Sequence, residues 1–189
     1  MIRALFVVTG LDQLPTTERW PRLVVPLAEE LAYSGLGSLP ELESLRRERD
    51  QTGGVQATEV AVILFNIDYG RPLVDRVVEA AGVNREKSAL PVRWRDFNCA
   101  DYFSSELAEH GYWDEPGQYW YMVSAERVYE DTERQFLVIG GPGVDGIDWG
   151  YRRGHTGLWA WYPINAEFAP LAPTAQALWQ GWLSGAITV

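Results

Sequence analysis

The chain has 189 residues, 47% of them hydrophobic and 22% charged, with a net charge of −10 and a pI near 4.7. That is enough apolar residue for a real core in one or two domains. The acidity argues against nucleic acid as a direct ligand, because phosphate backbones are held by basic surfaces, and it suits a basic protein partner. The single cysteine, Cys99, excludes an intrachain disulfide.

Ala4 to Val8 is a continuous apolar run ending at Gly10, which predicts a buried strand. It is too short for a secretory signal core, and no later apolar run approaches a membrane span, so a cytoplasmic protein is expected. A helix follows from near Pro21 or Pro26 to Tyr33, ending at Gly35. Glu43 to Asp50 carries a helix-start signal in Ser38, Pro40 and Glu41. Gln51 to Gly54 nevertheless reads as a hairpin turn into the strand-like stretch Val55 to Asp68, so a hairpin is expected. Pro72 to Ala81 predicts a helix with Leu73, Val74, Val77, Val78 and Ala81 on one face, and Ser88 to Trp94 a last strand. The order β-α-β-β-α-β is the ferredoxin-like arrangement, with Arg46, Arg47, Arg49 and Pro91 protecting its edges.

Beyond residue 94 the composition changes. Residues 1–94 hold 11 Lys+Arg and 13 Asp+Glu; residues 95–189 hold 5 and 13, a net of −8, with seven of the nine tryptophans. Two units are therefore expected, 1–93 and 94–189, in an α+β protein. In the second, Asp101 to His110 predicts a short helix, and Tyr119 to Val123 and Phe136 to Ile139 predict strands. Ile147 to Tyr151 and Leu158 to Tyr162 predict a hairpin around Arg152 to Gly157. Thr174 caps a closing helix with Leu178, Trp179, Trp182 and Leu183 on its apolar stripe, and Ile187 to Val189 suggest a terminal strand. Along the second hairpin strand, period two sends Trp159 and Trp161 to one face and Leu158, Ala160 and Tyr162 to the other.

Four chemical motifs fail on their residue types. Gly140 to Gly146 lacks the Lys-Ser/Thr of a phosphate loop and leads into a strand. Asp145 and Asp148 lack the remaining positions of a calcium loop. One cysteine and two histidines give no zinc spacing, and Ser104-Ser105 lies in no nucleophile elbow. No cofactor or metal is expected. A thiol site from Cys99 with His110 or His155 stays a minor alternative.

The run Phe136 to Pro163 carries a hydrophobic strand, a glycine-rich loop with acidic residues (Gly140 to Asp148), and an aromatic strand (Trp149 to Tyr151). A glycine turn (Gly154 to Gly157), a second aromatic strand (Trp159 to Pro163), a short proline-containing link and the closing helix Thr174 to Trp182 complete the layout. It resembles the SUKH superfamily, whose bacterial members are best known as immunity proteins against polymorphic toxins. The resemblance covers about half of the chain. It implies a SUKH-like mixed sheet with flanking helices, and a non-enzymatic protein that binds and neutralises a basic toxin. A regulatory or scaffold module acting on a host protein is the alternative. Asp145, Asp148, Trp149, Arg152 and His155, in or beside the turns, are the expected partner-binding residues.

Overall fold

The computed structural model describes residues 4–84 and 90–188. It is an α+β protein of two compact units, Met1–Glu86 and Lys87–Val189.

In the first unit, β1 (Ala4–Val8) is buried along its whole length. A 3-10 turn (Leu11–Gln13) leads to α1 (Thr16–Arg19) and α2 (Val25–Ser34). Pro21 and Pro26 remove two N–H donors from this stretch. A π-helical turn, Trp20–Val24, absorbs the lost ladder bonds between the two helices. Gly35, with φ 67°, ends α2 as expected. The two-residue β2 (Gly37–Ser38) precedes α3 (Leu42–Thr52), β3 (Val60–Leu64) and α4 (Ile67–Ala80). β3 pairs antiparallel with β1 on one side and β2 on the other.

The strand expected over 43–50 is a helix, which removes the hairpin from the anticipated ferredoxin-like order. Leu, Glu and Arg dominate the segment, all strong helix formers, and only Leu45 is buried. Gly53, at φ 77°, is the left-handed residue that closes α3 rather than a hairpin turn. Helix α3 is fastened by Arg49, whose guanidinium lies over the Trp20 ring at 4.5 Å. The expected last strand also fails: Val92–Phe97 is a 3-10 segment that begins after Pro91, while Ser88 and Ala89 lie outside the described residues. Helix α4 starts earlier than expected because the Asn66 side chain accepts from Tyr69 N at 3.2 Å, which puts Pro72 inside the helix. Its predicted buried face, Leu73 to Val78, is the face observed.

In the second unit, α5 (Ala100–Phe103) and α6 (Glu106–His110) split the single helix expected there. They precede β4 (Tyr112–Asp114), β5 (Tyr119–Met122), β6 (Tyr129–Asp131) and β7 (Phe136–Gly140). β8 (Asp148–Arg152), β9 (Leu158–Tyr162), β10 (Glu167–Ala172) and α7 (Ala175–Leu183) complete the unit. Strands β7, β8, β9 and β10 form a meander; β6 and the end of β5 share the other edge of β7. Every one of these pairings is antiparallel, so the expected mixed sheet is corrected. For the consecutive strands β6 to β10, short connections permit only this arrangement. Two further expectations fail at the end. The proline-containing link expected between the second aromatic strand and the closing helix includes an edge strand, Glu167–Ala172, that tolerates Pro170 through a bulge. Ile187 forms no strand and instead packs on Gly181.

The core lies on the face where Trp149 and Tyr151 meet Ala160 and Leu158, covered by α5 and α7. Trp149 stacks edge-on with Tyr121 at 4.4 Å and Trp182 at 5.8 Å. Asp101 ties the layers together: its carboxylate accepts from Tyr151 Oη at 2.9 Å and from Ala175 N, at the start of α7, at 2.8 Å. Trp149 Nε1 donates to the Tyr121 carbonyl at 2.8 Å across Gly140. A Cβ on Gly140 would collide with that carbonyl and with the indole nitrogen. Gly140→Ala is expected to cost about 1–3 kcal/mol, the usual range for overpacking, measured by urea unfolding followed through tryptophan fluorescence.

Candidate functional site

The opposite face of the meander carries the aromatic residues that the core does not take. Alternation along β9 leaves Leu158 and Ala160 buried and Trp159 and Trp161 half-buried, as the period-two reading requires. Register then sets their neighbours. Asp148 lies opposite Trp161, and Phe168 of β10 flanks Trp161 on the other side with ring centroids 4.7 Å apart. Arg152 covers Phe168 at 4.3 Å and Trp159 at 4.9 Å, and Arg134 covers Trp161 at 5.0 Å. The arrangement is a band of guanidinium groups stacked on indole and phenyl rings.

At one end of this face a cleft of about 360 Å³ opens between β5, β6 and the glycine loop 140–147. Tyr119, Trp120 and Tyr129 supply aromatic wall, Val144 and Ile147 supply loop wall, and Asp148 supplies the carboxylate. The loop is shaped by Gly143 and Gly146, both left-handed at φ 74° and 65°. Gly143 also lies directly on the Tyr119 ring, where a side chain would not fit.

The charges beside the cleft are unequal. Arg134 gives its Nε and Nη2 to Asp131, at 2.6 and 2.5 Å, while its Nη1 reaches Asp148 only at 3.6 Å and makes no hydrogen bond. One guanidinium therefore serves two carboxylates. Asp148 is poorly solvated and has Asp131 nearby. Burial first, then that like charge, outweigh the pull of Arg134 and push its carboxyl up from 3.8 to about 6. Burial and the Asp148 charge likewise push the Tyr129 phenol upward.

The five expected partner-binding residues separate in space. Asp145 is exposed at the tip of the glycine loop in a left-handed conformation, φ 53°, which a short polar side chain tolerates. Asp148 lines the cleft, and Arg152 lies in the aromatic band. His155 is exposed on the β8–β9 turn with its ring edge toward Trp159 at 5.4 Å. Trp149 is the correction: it is fully buried and belongs to the core, because it pairs with Ala160 on the inner face. The reading missed Tyr119, Trp120, Tyr129 and Arg134. Tyr119 and Trp120 are signalled by the aromatic run Tyr119 to Tyr121. Tyr129 and Arg134 reach the site only through the pairing of β6 with β7.

The β8–β9 turn is held firmly. Arg153 donates to Glu130 at 2.9 Å and Asp96 at 3.2 Å and lies over Phe97 at 4.4 Å. Asn98 Nδ2 donates to the His155 carbonyl at 3.1 Å. Cys99 is completely buried, its Sγ 3.5 Å from the Trp94 carbonyl, and burial pushes its thiol up to about 12. A neutral, enclosed thiol is no nucleophile. Among the described residues, no three His, Cys, Asp or Glu side chains cluster as a metal site would need. No helix among them is long and apolar enough to cross a membrane.

No protein-family model matches the chain, and no curated protein or solved structure does.

The raised Asp148 value has a definite sign. It lies above the unfolded value of 3.8, so the group supports folding most below about pH 4, and that support is lost as the pH rises through about 6. Asp148→Asn removes this half-buried charge. It is expected to raise stability at about pH 7.5 by roughly 1–3 kcal/mol, a gain that shrinks toward pH 5. Thermal unfolding of both proteins across that pH range is the measurement.

Proposed function

We propose that this chain is a non-enzymatic binding protein of immunity type, whose second unit occludes a basic bacterial toxin. One observation carries the reading. The outer face of β8, β9 and β10 presents Trp159, Trp161 and Phe168 half-buried under Arg134 and Arg152, in the half of the chain that bears a net charge of −8. Tryptophan and arginine are the side chains that dominate binding hot spots, and an acidic surround steers a basic partner toward them. The buried, neutral Cys99 leaves the thiol-hydrolase alternative without its nucleophile.

The layout from β7 through α7 supports a SUKH-type assignment for the second unit: strand, glycine loop with Asp145 and Asp148, aromatic strand, glycine turn, aromatic strand and closing helix. For the first unit, the β1-β3-β2 antiparallel order is compatible with three strands of a split βαβ arrangement in which α3 is inserted. The basic partner is a protein, and no nucleic acid contact is proposed, since among the described residues only Arg152 and Arg134 lie over these aromatics.

The test is protection in cells. A toxin encoded beside this chain's gene, expressed alone, should arrest growth, and co-expression of the chain should restore it. The double substitution Trp159→Ala, Trp161→Ala should abolish protection and weaken binding in calorimetry by at least about 2 kcal/mol, the hot-spot range. Its far-UV circular dichroism should match that of the unaltered chain. Full protection by the double variant would overturn the assignment of this face.

A further inference from the structure

We propose that the glycine-loop cleft of the second unit receives one cationic side chain, an arginine or lysine, from the protein partner, with Asp148 as its counter-charge. The source of the cation rests on the binding function proposed above; the cation-binding character of the cleft does not.

Size comes first. Ligand sites run from about 300 to 1,000 Å³, and this cleft, at about 360 Å³, sits at the lower end. It suits a single side chain rather than a nucleotide or a large metabolite. Sign comes next. Asp148 and Asp131 share one guanidinium, and that guanidinium bonds Asp131, which leaves the carboxylate in the cleft wall short of positive charge. Asp145 adds a further negative charge on the loop between Val144 and Gly146, both of which line the cleft. An incoming anion would therefore be repelled, despite the glycine-rich backbone. An incoming ammonium or guanidinium would supply the missing counter-charge in a poorly solvated place, where a charge-assisted hydrogen bond is strong.

The walls agree with that sign. Tyr119, Trp120 and Tyr129 present aromatic surface, the surface that favours the alkyl stem and flat head of a basic side chain. A guanidinium already lies on this wall, since the chain's own Arg127 covers the Trp120 ring at 5.0 Å. The aromatic rings and the carboxylate line one opening, so a single extended basic side chain can touch both.

The probe is acetyl-Gly-Arg-Gly-amide, with acetyl-Gly-Leu-Gly-amide as its neutral counterpart, titrated into the full chain and followed by amide and indole NMR shifts. The arginine peptide should shift the backbone amides of 141–147 and the Trp120 indole N–H, and the leucine peptide should not. Asp148→Asn should weaken the arginine peptide at least tenfold, with shifts elsewhere in the chain reporting an intact fold. Equal binding of both peptides, shifts confined to other regions, or unchanged affinity in the Asp148→Asn variant would each overturn the proposal. The two readings fail separately. Arginine-peptide binding that depends on Asp148, in a chain that gives no protection against the neighbouring toxin, keeps the cleft and removes the immunity function. Protection by an unaltered chain that binds neither peptide does the reverse.

Discussion

The second unit depends on one contact, the hydrogen bond from the Trp149 indole to the Tyr121 carbonyl over Gly140. A side chain on Gly140 would hold these groups apart, so a missing Cβ lets β5 reach the end of β7. That single point of pairing positions Tyr119 and Trp120 against the glycine loop and so creates the cleft. It also fixes which side of β8 is core. With Trp149 inward, Asp148 and Arg152 must point outward, because neighbouring strand residues alternate. The aromatic band and the carboxylate of the cleft are thus the geometric complement of a buried tryptophan.

The outward face is charged in an economical way. Arg134 neutralises Asp131, shields the Trp161 ring and still approaches Asp148, all from one side chain. A buried carboxylate without a full partner normally disfavours the folded state. Its retention at the edge of an aromatic cleft is what a binding surface requires, because a group left under-compensated in the free protein gains most when a complementary charge arrives. Local instability and potential affinity have the same origin here.

Much of this was legible in the residues, but unevenly. The alternation of Leu158 and Ala160 with Trp159 and Trp161 separated core from outer face in β9 with no structural information. The same alternation could not orient β8. Its place beside a turn suggests a partner-facing Trp149, whereas its inward direction follows from its pairing with Ala160, a register set by turn length. The helix at 42–52 is ambiguous in sequence because a glycine in the left-handed conformation ends a helix as readily as it turns a hairpin; the density of Arg and Glu is the better signal. Strand β10 was hidden by Pro170, which an edge strand tolerates and a central one does not. The cleft was beyond reach because Tyr129, Arg134 and Asp148 meet only across strands.

The two parts of the outer surface differ in how they are held, and this bears on how a partner would be recognised. The turn from Arg152 to Gly157 is anchored by Arg153, Asp96, Glu130 and Asn98, and the band beside it is already stacked. Little side-chain freedom remains to be lost there on association, so its contribution goes into affinity rather than into ordering. The glycine loop follows a different logic. Its path is set by left-handed residues, Gly143, Asp145 and Gly146, and its chemistry by one carboxylate that Arg134 approaches only at 3.6 Å. A pre-organised aromatic band favours a partner of matching shape, and a small cleft with one under-compensated carboxylate disfavours a partner that cannot fill it. Affinity on the band and discrimination in the cleft are therefore coupled through Arg134, which covers the Trp161 ring and approaches Asp148.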